Sequence, residues 1–523
     1  MCYFHRESKA FYSHPSGIVL QKESKTMWKR SCELDASLED QLPIPAKIIS
    51  NEEFIPPPPT LEQQHYARRA LELSETNAKK QNVDRRDFLR TTSGMACALT
   101  ALNEVFGPCY EVQASEMADP LSFKEPWPKD QFIFDMQTHH VDVSGKWYED
   151  SLEGNKVKAF LQMVRPSLFG FNRTLELLNR THYVKELYAD SDTVMAIISG
   201  VPTREWNKNP LPPDQMVATR NFVNELSGSQ RSLSHGLIRP NLGLKELDEM
   251  ERQVKELKID AWKMYTGAEL GEQYWRLDDE KIAYPFWERT KKLGIKNICV
   301  HKGLPLGLFN EKGCHPGDVA KAAADWPDLN FIIYHSGYKG FGSAGRGIGA
   351  PVPAREKPDE QEIPWISDIL RDLKANPKIK NVYFELGSTF NILSAAAPKI
   401  CLHALGQMIE VAGADHILWG TDSIWNGSPQ SQIVRLRRLQ MLPELRDKFQ
   451  YSELTDKIKD QIFGLNAARL FNINVEEKRK ALKIDKMTSI RESYKQGGSP
   501  SNTQYGWVWT GGAKSPTIPI GAE

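Results

Sequence analysis

The sequence predicts a closed (β/α)8 TIM barrel with insertions, preceded by an irregular N-terminal extension. Three observations predict it. From Phe132 onward, short apolar runs alternate with longer helix-like stretches, the pattern of strands and crossover helices in a parallel sheet. Eight such runs can be counted. They end in polar, ligand-capable side chains, as barrel strands do at the face that carries a site. Doubly wound sheets alternate in the same way, but eight strands with polar ends favour closure.

Residues 1–83 show no sustained periodicity and contain the proline run Pro56-Pro57-Pro58-Pro59, followed by a charged, helix-like segment from Leu61 to Lys80. This reads as an extension with little core of its own. Residues 84–118 open with Arg85-Arg86-Asp87-Phe88-Leu89-Arg90 and continue into the mildly apolar TTSGMACALTAL. The pattern resembles a twin-arginine export signal, with small residues around Ala114 and Ala118 for a processing enzyme. The competing reading is a capped amphipathic helix. Taken as a signal, the segment implies a periplasmic or otherwise exported barrel; otherwise the chain is cytoplasmic.

The barrel is expected over 119–475. Its strand-like runs are Phe132–Phe134, Val194–Ser199, Leu233–Ile238, Ile259–Tyr265, Ile298–His301, Phe331–His335, Val382–Leu386 and Ile417–Trp419. Helix-like stretches between them include Leu244–Leu257, Tyr284–Leu293, Val319–Ala324 and Trp365–Lys374. A glycine-rich stretch from Gly337 to Pro364 follows the sixth run directly, and long loops at strand ends are commonly functional. Residues 476–523 form a lysine-rich helix and a tail with Trp507 and Trp509.

Composition narrows the partners. Lys+Arg and Asp+Glu are both 67, so no basic excess exists to neutralise phosphates, which argues against nucleic acid. No apolar run approaches the roughly 20 residues of a membrane span. Seven scattered cysteines without a C-x-x-C pair suggest neither a zinc knuckle nor a disulfide framework. A small-molecule substrate is the expected partner; a homo-oligomeric state is left open.

The first strand gives the sharpest signal, QFIFDMQTHHVD from Gln131 to Asp142. Simple alternation puts Asp135, Gln137 and His139 on one face and Met136, Thr138 and His140 on the other. Only one of the two adjacent histidines can then face the barrel interior. Later strand ends bring Arg239, Lys263, His301, His335, Glu385 and Asp422. Imidazoles and a carboxylate converging on one barrel mouth are the ligand set that borderline divalent cations choose.

Five segments carry a resemblance: FDMQTHH, VHKGLP, FIIYHSGY, ILWGTDSIW and IFGLNAARLF. In this order they are similar to the amidohydrolase superfamily, in its amidohydrolase-related branch of hydrolases, lactonases and aminocarboxymuconate-semialdehyde and resorcylate-type decarboxylases. The resemblance runs from Phe132 to about Ile473. It implies His139, His301 and Asp422 as metal ligands and His335 as a catalytic or supporting imidazole. Gln137 stands where the pattern expects the first histidine, and a neutral amide oxygen is a poorer ligand. At most one metal ion, zinc or manganese, is therefore expected. The implied function is a metal-dependent hydrolase of an amide, ester or lactone in a small carboxylated molecule. In it Asp422 or His335 takes a proton from water, and Arg239, Lys263 and Lys302 hold the substrate carboxylate. A non-oxidative decarboxylase on the same barrel is the alternative, and a non-catalytic, exported binding barrel is a third.

Overall fold

The computed structural model describes residues 28–30, 42–48, 59–122, 131–142, 178–206, 209–268, 273–305, 309–340, 362–497 and 507–509. Eight parallel strands follow one another around a barrel in sequence order. They are β1 (Phe134–Thr138), β2 (Met195–Ile198), β3 (Ser232–Leu237), β4 (Ala261–Tyr265), β5 (Asn297–His301), β6 (Asn330–Tyr334), β7 (Val382–Glu385) and β8 (Ile417–Leu418). The backbone closes the ring between β8 and β1, where Met136 N–H donates to the Trp419 carbonyl at 2.9 Å and Asp422 N–H to the Gln137 carbonyl at 2.9 Å. The (β/α)8 barrel expected from the alternation is the architecture observed.

Each expected strand is present, with ends displaced by at most two residues except in β1, which ends four residues beyond the expected position. The largest displacement is in β1, which runs past the apolar triplet into FDMQT. Helices Glu246–Lys255, Tyr284–Lys292, Val319–Asp325 and Ile366–Ala375 stand where the helix-like stretches were expected, within two residues at each end. Most of the glycine-rich stretch, 341–361, lies outside the described residues.

The interior is built in layers. Phe134, Met195, Ile197, Leu233, Ala261, Cys299, Ile332, Tyr383 and Leu418 form an apolar cluster that includes Ala467 and Ala468. Those alanines belong to the helix Asn466–Leu470, which follows directly on IFGL. Asn466 Nδ2 donates to the carbonyls of Ala414 and Ile417, both at 2.8 Å, fixing this helix to the start of β8. Above the apolar layer the strand-end side chains are polar, and Gln137, His139, Lys263, His301, Glu385 and Asp422 are all buried.

Part of the N-terminal extension is better packed than its composition suggested. Leu42, Ile44 and Tyr66 are fully buried. Helix α1 (Leu61–Gln81) starts in a Thr60 capping box and packs on α3 (Thr92–Phe106). Between them α2 (Arg85–Leu89) is capped by Asp84. The twin-arginine-like stretch thus adopts capped helices. Its apolar half buries Leu99, Ala101 and Leu102 in the main hydrophobic cluster. The link to the barrel continues through Arg438, whose guanidinium meets the Glu116 carboxylate at 3.1 Å with both side chains buried. At the far end, Trp28–Arg30 pairs antiparallel with Trp507–Trp509.

Candidate active site

Simple alternation does not survive along β1. The ladder between β1 and β2 shifts register between Asp135 and Thr138. Below the shift Phe134 and Met136 belong to the interior cluster, while Ile133 packs in the outer layer. Above it Gln137 and His139 both reach Asp422. Asp135 therefore does not share a face with Gln137 and His139, as a regular strand would require. A bulge of this kind re-aims side chains at an active-site rim. The Asp135 carboxylate holds it in place: Oδ1 accepts from Gln137 N–H at 3.1 Å and Thr421 N–H at 3.0 Å, and Oδ2 accepts from the Thr421 hydroxyl. Burial pushes the Asp135 carboxyl up to about 7, against these hydrogen bonds.

Two clusters make up the mouth. In the first, Asp422 Oδ1 lies 3.0 Å from His139 Nε2 and 2.9 Å from Gln137 Nε2, and those two nitrogens are 3.4 Å apart. The Ser388 hydroxyl donates to Asp422 Oδ2. His139 Nδ1 donates to the Ser199 carbonyl at 2.8 Å, because a carbonyl can only accept, which directs Nε2 toward Asp422. Burial pushes the Asp422 carboxyl up, but hydrogen bonding and charge from His139, with His335 and Ser388 adding to them, outweigh it. Asp422 is held below the usual carboxylate range.

The second cluster is a histidine pair. His335 Nδ1 donates to the Gly387 carbonyl at 2.9 Å, so its Nε2 accepts from His301 Nδ1 at 3.1 Å. Burial lowers the His335 imidazole to about 4 and the His301 imidazole well below its ordinary value. Both rings are neutral at pH 7. Tyr265 stacks on His301 with centroids 4.4 Å apart, forming an aromatic wall with Phe309. Lys263 stands between them and Tyr334, with Nζ 3.6 Å from that ring's centroid. As expected of adjacent residues, His140 points elsewhere and packs on Tyr183 at 5.4 Å.

Backbone strain concentrates here. His335 and Ser336 have φ of +60° and +53°, Ser388 +52° and Asp422 +62°. Non-glycine residues in this region cluster at functional sites, where surrounding contacts over-determine them.

Two expected substrate-binding cations are committed to the fold instead. Lys302 Nζ donates to the carbonyls of Gly313 (2.8 Å) and His315 (3.2 Å) and to Asp318 Oδ2 (2.8 Å), in an ion pair with no solvent exposure. All three of its N–H donors are used. Arg239 Nε pairs with Glu246 at 2.8 Å, its Nη1 serves the carbonyls of Thr203 and Arg204, and the guanidinium lies 3.5 Å above the Trp206 ring. Its remaining face borders a small cavity lined by Tyr265, Ala268 and Phe309. Of the three cations, Lys263 alone stands inside the mouth.

Gln137, His139 and Asp422 bring three polar side chains together, with the amide a weak donor. Ligand atoms about 2.1 Å from a shared cation stand roughly 3.0–3.4 Å from one another, and the Gln137, His139 and Asp422 atoms have that spacing. Gln137 Oε1 is buried with no hydrogen-bond partner among the described residues. An amide flip would bring it to the triangle in place of Nε2. Among the described residues, no group of three or more His, Cys, Asp or Glu side chains is gathered closely enough to hold a metal. The third corner is an amide, and His301 is engaged with His335.

Residues 236–473 match the amidohydrolase family model. Over that stretch the chain is similar to the amidohydrolase family. The match begins in β3 and takes in His301, His335, Glu385 and Asp422, but not the first strand. No curated protein matches the chain. Among solved structures, the chain is similar to an uncharacterised TIM-barrel protein from Bordetella bronchiseptica, at 15% identity over 65% of this chain and 98% of that one, with a TM-score of 0.41. It is also similar to a probable 2-pyrone-4,6-dicarboxylic acid hydrolase from Acinetobacter baumannii, at 13% identity over 65% and 99%, TM-score 0.37. A dihydroxybenzoic acid decarboxylase from Polaromonas, solved with manganese and 2-nitroresorcinol, matches at 17% identity over 65% and 97%, TM-score 0.35. Likeness this distant carries no argument about chemistry, which rests on the chain's own side chains.

Proposed function

We propose that this barrel is a hydrolase whose active site is the mouth bounded by Gln137, His139, Lys263, His301, His335 and Asp422. The observation that carries the reading is the meeting of Gln137, His139 and Asp422 at 2.9–3.4 Å beside the neutral His301–His335 pair. Gln137, His139, His301 and Asp422 would hold one divalent cation, zinc or manganese, which would lower the pKa of a bound water toward about 7. Asp422 stays ionised and can accept a proton through Oδ1, while Ser388 and His139 fix its orientation. His335, neutral at pH 7, offers a second acceptor at Nε2 once that nitrogen gives up the His301 Nδ1–H bond. Lys263 is placed to hold the carboxylate of a small substrate, and the Tyr265–Phe309 wall gives its planar part an apolar surface.

Turnover in ¹⁸O-labelled water tests the reaction type once a substrate is in hand. Label in the product carboxylate supports hydrolysis; carbon dioxide release without label assigns the barrel to non-oxidative decarboxylation. Binding without turnover would make it a binding barrel.

Export is a separate proposal, resting on Arg85-Arg86. Phe88 and Leu89 are buried and Arg85 pairs with Glu75 at 2.8 Å, so the exported chain would keep this segment docked. The wild type is expected outside the cytoplasm, and Arg85→Lys with Arg86→Lys inside it. Fractionation that finds both proteins in the cytoplasm rejects export.

A further inference from the structure

The proposed acceptor His335 is held by a buried carboxylate at the end of the neighbouring strand. Glu385, at the end of β7, is fully buried. Its Oε2 accepts from the backbone N–H of His335 at 3.1 Å and its Oε1 from that of Gly387 at 2.6 Å. The carbonyl of the same Gly387 receives His335 Nδ1–H at 2.9 Å. One carboxylate thus ties down both ends of the contact that sets the imidazole tautomer. Further bonds fix the same elbow: Ser336 Oγ donates to the Glu385 carbonyl at 2.8 Å and Thr389 Oγ1 to the His335 carbonyl at 2.7 Å. They hold His335 and Ser336 in the left-handed region.

The surroundings are shaped around this carboxylate. A Cβ on Gly420 would lie 1.5 Å from Glu385 Oε1, and one on Gly387 would lie 2.7 Å from it. Neither glycine has positive φ, so clearance rather than backbone freedom calls for them. Burial outweighs the His335 and Gly387 N–H bonds and the Lys263 charge, and leaves the Glu385 carboxyl raised to about 8. The N–H donors on both oxygens oppose that rise without cancelling it.

We propose that Glu385 is the positioning residue for His335, clamping the His335 and Gly387 amides so that the imidazole keeps its proton on Nδ1 and presents Nε2 to the mouth. The role deepens the reading of His335 as a proton acceptor and rests on it. Loss of a group that orients a working imidazole commonly costs about 10–100-fold in activity. In the alternative, Glu385 only braces β6 against β7 and leaves the tautomer unaffected.

Long-range ¹H–¹⁵N spectra of histidine-labelled protein separate the two, with His335→Gln identifying the His335 signals. The wild type should show His335 protonated on Nδ1; an Nε2–H tautomer there overturns the proposal outright. Glu385→Gln offers one oxygen and one NH2 group to two N–H donors, so the Nδ1–H signature should give way to mixed tautomers while the other histidine signals stay in place. If that variant does not fold, Glu385→Ala combined with Gly420→Ala refills the vacated space and is read in the same way. An unchanged His335 tautomer in either folded variant overturns the proposal. The spectra need no substrate, so a wrong reaction assignment leaves this result standing. With a substrate, kcat should fall roughly tenfold or more with little change in KM.

Discussion

Replacing Asp422 by asparagine is expected to lower turnover by about 10²-fold or more, the scale of a lost general base. The aspartate meets every other member of its cluster. Oδ1 faces Gln137 and His139, and Oδ2 takes the Ser388 hydroxyl. An asparagine keeps the shape but must turn an NH2 group toward one of these partners, and it removes the negative charge. On the proposed reading a proton acceptor and a cation ligand are lost together, so kcat/KM and metal affinity should fall in parallel. Circular dichroism and thermal unfolding establish that the variant is folded. Turnover within threefold of wild type would remove Asp422 from the chemistry.

The largest effect on stability is expected from Gly420→Ala. The added methyl would stand 1.5 Å from Glu385 Oε1 and 2.6 Å from its Cδ. The side chain cannot swing away without giving up both backbone N–H bonds, and the barrel interior is closely packed. Overpacking of this kind costs about 3 kcal/mol, added here to a buried carboxylate left unpaired. Denaturant unfolding measures it. In a Glu385→Ala background the same methyl meets empty space, so most of the loss should vanish. A purely additive double-mutant cycle would show that the glycine is required for some other reason.

The barrel was legible because its strands are short apolar runs closed by polar residues, a pattern that survives errors of one or two residues at each end. The carboxylate and imidazoles at those ends could be named for the same reason. The β1 bulge could not, since nothing in FDMQTHH shows that Asp135 will turn away to hold Thr421 and the Gln137 amide. Arg239 and Lys302 looked like free cations because their partners, Glu246 and Asp318, lie a helix or a loop away along the chain. Glu385 was visible as a strand end. Its role depends on space left by Gly387 and Gly420 and on the His335 amide, none of which sequence proximity reveals. In the extension the helix over Leu61–Lys80 was legible, but its packing against the main hydrophobic cluster was not.

The central claim is that the strand ends form one divalent-cation site, and elemental analysis tests it most directly. Purified protein, stripped with chelator, reloaded with zinc or manganese and dialysed, should retain about one ion per chain, the stoichiometry of a single borderline-donor site. His301→Ala, treated in the same way, should retain far less. Full occupancy in His301→Ala, or none in the wild type, would contradict the account.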